Sequence, residues 1–336
     1  MGVVDTELYR GNIVMTRIRL ARNLRDFPFK ADPVTAKEIV KKVNRALLKC
    51  DTFNLYFTAN LDDITLEAMK EKMLISEALI ENRKSGAALI NADKSVSVMV
   101  NEEDVIREQC FMKGLRLSEA YRKIQKIDLE LSKNLDIAYD DKFGYLTACP
   151  TNLGTGLRAS VLLFLPALTE GGKISSLIRE AENIGLTVRG AYGEGSGGEG
   201  FMYQISNEVT LGVSEEEIIN SVEETVLKIC AFERKETERL FGDRELKIID
   251  RVRKSFGVLT NAVLLDYKEF LSHVSLVKMG AMLGMIDIND LEAIDDLIVA
   301  VRPAVLCEQY GKKLSIIDRD LFRAEIVSKK LLKLRG

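Results

Sequence analysis

Five arginines, two glutamates and one cysteine stand where strand and loop signals could gather them. In Ile13-Val14-Met15-Thr16-Arg17-Ile18-Arg19-Leu20 alternate positions share a face if the segment is a strand. Arg17 and Arg19 then point one way, while Val14, Ile18 and Leu20 point into a core. Two guanidinium groups about 7 Å apart repel each other unless an anion lies between them. A polyphosphate suits that place, because each guanidinium offers a planar fork of donors. Taken alone, the segment reads better as a solvated strand face with acidic partners.

Val96 to Val100 leads into Asn101-Glu102-Glu103-Asp104, with Arg107 at helical distance. Three carboxylates at a strand end could bind a metal, act as a base or hold a cationic substrate. They fit a helix N-terminus equally well, where acids favour the dipole. Tyr145 to Cys149 reads as a strand running into Pro150-Thr151-Asn152-Leu153-Gly154-Thr155-Gly156, which opens a helix carrying Arg158. Such a loop can set backbone N–H groups and an arginine around an anion. Cys149 could be an activated thiolate beside cations, although a buried cysteine before a turn is commoner. Gly193 to Gly198 formally matches GxGxxG, but strand signals follow where a dinucleotide motif needs a helix. The better reading is a mobile loop beside Arg189 and Glu194, able to close over a substrate.

Composition narrows the chemistry. The chain has 336 residues, enough for two domains, with 46% apolar and 29% charged residues. Lys and Arg (48) nearly balance Asp and Glu (51), so no bulk attraction draws the chain to nucleic acid or an anionic membrane. No apolar run reaches the roughly 18 residues of a membrane span. The first ten residues lack an apolar signal core, and a cytoplasmic protein is expected. Cys50, Cys110, Cys149, Cys230 and Cys307 never form CxxC, which argues against a disulfide framework or a zinc finger. With His273 as the single histidine, HExxH sites are excluded and Ser-His-Asp chemistry has little room.

The positioning elements follow from periodicity. Strands are predicted at Ile13–Leu20, Ala87–Asn91, Ser95–Asn101, Tyr145–Cys149, Thr187–Gly190 and Met202–Leu211. Helices are predicted at Pro33–Lys49, Ser118–Leu131, Leu157–Leu168 and Ser175–Ile184. A long helix starts near Ser214, whose spacing to Glu217 is that of a capping box. Beyond Gly242 only helices are predicted: Asp243–Phe256, Tyr267–Leu283, Asp290–Val301 and Asp318–Leu334. The expected organisation is a mixed domain over residues 1–240 and an all-helical one over 241–336.

Thr16–Asn23 (TRIRLARN), Asn101–Asp104 with Arg107, Cys149–Ser160 (CPTNLGTGLRAS), Arg189–Glu194 (RGAYGE) and Gln204–Gly212 (QISNEVTLG) together resemble the phosphagen (guanidino) kinase superfamily. They resemble most closely its bacterial branch, the protein arginine kinases. The likeness runs almost end to end and implies an α+β fold, a largely antiparallel sheet flanked by helices, followed by a helical C-terminal domain. It implies ATP and Mg2+ as cofactors. It assigns catalytic roles to Glu103, Glu194 and Cys149. ATP contacts fall to Thr16, Arg17, Ile18 and Arg19, to Met73 and Arg107, to Arg158, Ala159, Ser160, Val161 and Leu162, and to Arg189, Gly190 and Gly193. Arg319-Asp320-Leu321-Phe322-Arg323-Ala324 looks like the RDxxRA motif that binds phosphoarginine for allosteric control. Arg319, Asp320, Arg323 and Ala324 carry that expectation, against a plain solvated helix with i,i+4 charge pairs.

The implied reaction is phosphorylation of arginine side chains in proteins, marking them for Clp-type proteolysis. Implied partners are arginine-bearing proteins, a zinc-binding activator, a Clp-type unfoldase and a second copy of the chain. The TRxR strand comes early, without the helical domain that precedes it in small-molecule guanidino kinases, which favours protein substrates. A free-arginine kinase and a non-catalytic phosphoarginine-binding adaptor are the rival readings. Two family histidines are replaced, by Met73 near the adenine and by Val105 after Asp104.

Overall fold

The computed structural model describes residues 9–190 and 199–335. An eight-stranded, wholly antiparallel sheet organises the first two thirds, in the order β2-β3-β4-β5-β1-β8-β10-β9. Its strands are β1 (Ile13–Arg22), β2 (Phe53–Phe57), β3 (Ala87–Asn91), β4 (Val96–Val100), β5 (Ile106–Lys113), β8 (Leu157–Phe164), β9 (Leu186–Gly190) and β10 (Met202–Asn207). A separate ribbon pairs β6 (Tyr139–Asp140) with β7 (Gly144–Tyr145). Helices α1 (Pro33–Leu47), α2 (Asp63–Glu71), α3 (Glu77–Glu81), α4 (Leu117–Asn134), α5 (Pro166–Glu170) and α6 (Ile174–Glu182) are interleaved with the strands. The C-terminal third is helical: α7 (Glu215–Asn261), α8 (Tyr267–Met282), α9 (Leu291–Ala300), α10 (Pro303–Gln309) and α11 (Ile316–Leu334). Among the described residues no helix is long and apolar enough to cross a membrane.

The alternation in β1 explains how the sheet is sandwiched. Ile18 and Leu20 enter the main core, where α1, α4, α6 and the first half of α7 cover one face. The opposite face is covered only at its ends. At one end α2 and α3 pack Leu66, Met69 and Leu79 against Ala88, Ile90 and Met99. At the other, α8, α9 and α11 close over Phe164 and Met202. An open groove is left between them.

Several predictions of secondary structure are corrected. Leu157–Phe164 is a central strand, not part of a helix, so Arg158 lies on β8. Ala159, Val161 and Leu163 are buried in the main core and Ser160 and Phe164 on the other face, so the segment shows neither helical period nor clean alternation. Arg107 stands on β5 rather than on a helix, because Asn101 to Val105 form the turn between β4 and β5. Asn101 makes that turn at φ 59°, a conformation asparagine tolerates, and its amide ties to the Ala36 and Ser85 carbonyls. The strand expected at Tyr145–Cys149 stops at Tyr145, and the one expected to reach Leu211 stops at Asn207. The Ser214 capping box is present, but α7 continues unbroken through position 243.

Arg22 shows how the sheet tolerates an arginine in its interior. It is 2% exposed, donates to both carboxylate oxygens of Asp128 at 2.9 Å, and caps the Ala21 and Thr155 carbonyls. Its guanidinium also lies 3.5 Å from the centre of the Tyr145 ring. Removing one partner of such a buried pair leaves an uncompensated charge. Asp128→Ala should therefore cost roughly 3–5 kcal/mol in urea unfolding; a loss below about 1 kcal/mol would contradict the account.

Beside this pair, burial first and Asp128 second push the Glu108 carboxyl well above its ordinary value of 4.5. The folded chain thus keeps a proton that the unfolded chain releases, so stability is full below the ordinary value and falls as pH rises. Glu108→Gln, which is always neutral, should flatten that fall as pH rises above the ordinary glutamate value, when unfolding is measured at each pH. Parallel stability curves for the two proteins would reject this role.

Candidate active site

The open face carries the arginines in register. Arg19 pairs directly across the strands with Arg158, and Arg17 with Ser160. Arg107 stands opposite Ala21 on the other neighbour of β1. Arg189, on the edge strand β9, pairs with Gln204. Like charges facing each other on adjacent strands are destabilising, and here the repulsion registers. Burial, then Arg107 and Arg158, lower the Arg17 pKa to about 10. Burial, then Arg17, Arg107 and Arg158, depress Arg19 well below its ordinary value. Burial and then Arg189 lower Arg158.

Partial compensation comes from residues the sequence reading passed over. Arg17 donates to Gln204 Oε1 at 3.1 Å and Arg158 to Ser206 Oγ at 3.1 Å. Arg107 donates to the buried Glu102 carboxylate at 2.5 Å. Gln204 and Ser206 lie in the QISNEVTLG block and Glu102 in the acidic run, so their blocks were visible although their roles were not. The Nε–H groups of Arg19 and Arg158 remain buried with no hydrogen-bond partner among the described residues. A buried unmet donor is costly, and an anion in the groove is the group that would satisfy both.

Glu103 and Cys149 meet this cage. With Arg19, Arg107, Arg158 and Asn152 they line one hollow of about 140 Å³. The turn positions them jointly. Glu102 Oε2 accepts from the Glu103 backbone N–H at 3.0 Å while its other oxygen holds Arg107. Asp104 accepts from Asn23 Nδ2 at 2.7 Å and from the Ala148 N–H at 2.6 Å, tying the acidic turn to the loop just before Cys149. The Cys149 thiol lies 3.0 Å from Thr151 Oγ1. Two glycines let this loop pack closely, Gly154 against the segment after β10 and Gly156 against β1. At Gly154 (φ +109°) a Cβ would lie 2.3 Å from the Thr210 carbonyl oxygen, and at Gly156 (φ +65°) 2.5 Å from Arg22 Nη1.

Not every expected site residue reaches the groove. Thr16, Ile18, Ala159 and Val161 face the opposite side of the sheet; Thr16 donates to the Gly114 carbonyl at 2.7 Å and the other three sit in the core. Ser160 faces the groove but is buried against β1, donating to the Arg17 carbonyl at 3.3 Å. Leu162 and Met73 line the groove beyond Arg17. Gly190 ends β9, while Gly193 and Glu194 lie outside the described residues. Val105 is buried in the core, with its N–H donating to Asn23 Oδ1. Among the described residues no group of three or more His, Cys, Asp or Glu could hold a metal ion.

The C-terminal motif differs from a solvated helix. Arg323 is 1% exposed and is spent internally, on the Val301 carbonyl at 3.0 Å, the Leu265 carbonyl at 2.7 Å and Asp320 at 2.6 Å. Ala324 is buried beside it, and Arg319 is half-buried. A second hollow, of about 310 Å³ between α5, α7 and α8, contains none of these residues and none of the five groove arginines.

Arg158→Gln should leave the anion-free protein as stable or more stable by up to about 1 kcal/mol, because a like-charge pair is removed. Inorganic tripolyphosphate should raise the melting temperature of the parent chain and do so much less for the variant. Destabilisation of the anion-free variant with an undiminished tripolyphosphate effect would contradict the cage.

Comparison with known proteins agrees with this geometry. The family profile "ATP:guanido phosphotransferase, C-terminal catalytic domain" matches residues 35–236, and "Protein-arginine kinase McsB C-terminal domain" matches residues 245–336. A protein-arginine kinase of Caldanaerobacter subterraneus subsp. tengcongensis is 43% identical over 328 residues, covering 96% of this chain and 97% of its own. One of Clostridium tetani is 40% identical over 332 residues, covering 98% of each. Of solved structures, the duplicated taurocyamine kinase from Schistosoma mansoni with bound transition state analog components superposes with a TM-score of 0.60 at 27% identity over 69% of this chain, which spans 34% of that longer one. Lombricine kinase shares the fold, with a TM-score of 0.59 at 24% identity, covering 69% of this chain and 68% of its own. The chain belongs to the ATP:guanido phosphotransferase family and, within it, to the protein-arginine kinases.

Proposed function

We propose that this protein transfers the γ-phosphoryl group of ATP to the guanidinium of arginine side chains in proteins. The observation that carries the reading is the shared hollow, where Glu103 and Cys149 open onto Arg19, Arg107 and Arg158. The triphosphate occupies the cage, where its oxygens meet Arg17 and Arg19 on β1 and Arg107 and Arg158 on the flanking strands. Substrate arginine enters beside Glu103. An arginine guanidinium has a pKa above about 12 and must lose a proton to become a nucleophile. The Glu103 carboxylate, exposed and with its backbone fixed by Glu102, grips the planar fork and takes that proton as the N–P bond forms. The bond from the γ-phosphorus to the β–γ bridging oxygen breaks as the N–P bond forms, and the arginines stabilise the charge on the phosphoryl group in flight and on the departing ADP. Cys149 acts as an electrostatic neighbour of the guanidinium, and Glu194 is proposed as the second carboxylate. Mg2+ accompanying ATP would be carried by phosphate oxygens and water.

Finer parts of the proposal rest on the resemblance of the sequence motifs alone. Residues 1–240 form the phosphotransferase domain and 241–336 the helical domain that reads phosphoarginine through the Arg319–Ala324 segment, where half-buried Arg319 and Asp320 reach the ligand and buried Arg323 braces Asp320 from within. The products are marked for Clp-type proteolysis in the cytoplasm. The protein works as a homo-oligomer with a zinc-binding activator.

Glu103→Gln keeps the side chain's size and removes the base. Phosphoarginine formation on a protein acceptor, followed by mass spectrometry, should fall at least about 100-fold with little change in melting temperature. Near-normal product would refute the assignment. The same assay with free arginine as acceptor separates the rival activity, and no arginine-linked phosphate at all from the parent chain would favour an adaptor.

A further inference from the structure

Beyond Arg17 the groove continues into the C-terminal helices. Two hollows share Met15, Met73, Leu162 and Arg302 as walls, which makes them one cleft. Along β1 the groove face presents Arg19, Arg17 and Met15 in turn, about 7 Å apart. Glu103 and the acceptor hollow lie at the Arg19 end. If the groove holds ATP as proposed above, on which this inference rests, the phosphates lie over Arg19 and Arg17 and the base lies between Met15, Leu162 and Met73. The remaining shared wall is Arg302, which comes from the joint between α9 and α10.

Arg302 is held in place from several directions. Its Nη1 donates to the Glu71 carbonyl at 2.6 Å. The Glu71 carboxylate in turn accepts from the Ala304 and Val305 N–H groups at 2.9 and 3.0 Å. A Lys72–Glu308 ion pair joins the same two elements. The turn carrying Met73, at φ 59°, is thereby bolted to the joint carrying Arg302. Behind the joint, Arg323 fixes the Val301 carbonyl and lies 5.6 Å from the centre of the Tyr267 ring, whose hydroxyl neighbours Arg302. The acids at the cleft mouth are already engaged: Glu292 and Asp296 pair with Lys113, and Asp295 with the buried Lys278.

We propose that Arg302 is a nucleotide-binding residue, its planar guanidinium packing on the adenine ring so that the C-terminal helices complete the ATP site. A guanidinium plane stacks favourably on an aromatic face, and thioether and aliphatic walls suit the other side of a purine. The contact reads the base and leaves the phosphates to the cage. Loss of Arg302 therefore weakens ATP and leaves a base-free polyphosphate alone.

The test is calorimetric titration of the full chain with ATP and with inorganic tripolyphosphate, on the parent, Arg302→Ala and Arg302→Lys. Arg302→Ala should weaken ATP binding about tenfold and change tripolyphosphate binding by less than about twofold. Arg302→Lys keeps a donor for Glu71 and the positive charge but not the stacking plane. It should retain the parent's melting temperature and still bind ATP several-fold more weakly. Unchanged ATP affinity in Arg302→Ala, equal loss of both ligands, or full rescue by lysine would each overturn the inference, the last by reducing Arg302 to a bolt between helices. Failure of the parent chain to bind ATP would instead overturn the kinase reading and this inference with it.

Discussion

Mutual repulsion among arginines on one sheet face is the constraint around which this molecule is arranged. At about 7 Å and an effective dielectric near 20, a pair of guanidinium ions repels by about 2 kcal/mol. Arg19 and Arg158 are direct cross-strand partners, and each has a buried Nε–H without a protein partner among the described residues. The fold contains this strain with a thick core on the opposite face and with caps at both ends of the groove. It relieves it only in part, through Gln204, Ser206 and Glu102. Arg22 is the contrast: on the same strand, but given a full carboxylate and two carbonyls, it is a structural residue. What separates Arg22 from the groove arginines is whether the protein has supplied an anion.

A second economy lies in the turn between β4 and β5. Four consecutive residues, Asn101 to Asp104, do four different things. Asn101 shapes the backbone, Glu102 holds Arg107, Glu103 faces the groove and Asp104 anchors the loop just before Cys149. Glu103, the proposed base, and Arg107 are therefore fixed by one rigid piece of chain. This is the sort of support that keeps reacting groups within a fraction of an ångström.

Much of this was readable from the residues. The alternation in β1 gave the shared face of Arg17 and Arg19, and the motif blocks gave the other arginines and Glu103. What escaped has physical reasons. Leu157–Phe164 hid its strand character because its polar alternation, Arg158 then Ser160, stops where Leu162 and Phe164 are covered by the C-terminal helices. Glu102 and Glu103 look interchangeable in sequence, and only the direction of the turn makes one a brace for Arg107 and points the other into the groove. Arg323 reads as a surface arginine, since nothing local announces the two carbonyls, 22 and 58 residues away, that bury it. Arg302 carries no motif at all, and its place in the cleft is purely tertiary. The unbroken α7 was missed because Gly242-Asp243 has the composition of a helix end.

That helix has a mechanical meaning. Its 47 residues make a rod of about 70 Å, with Val222, Val226 and Ile229 in one core and Val252 and Leu259 in another. A continuous rod shared by two cores acts as an axle and not as a hinge, because flexing it at mid-length would break its own hydrogen-bond ladder. Widening the cleft between the sheet and the C-terminal helices thus means sliding or unpacking side chains around a common shaft. The width of the cleft is then set by packed contacts such as the Glu71 clasp, and single substitutions far from the reacting atoms can change it.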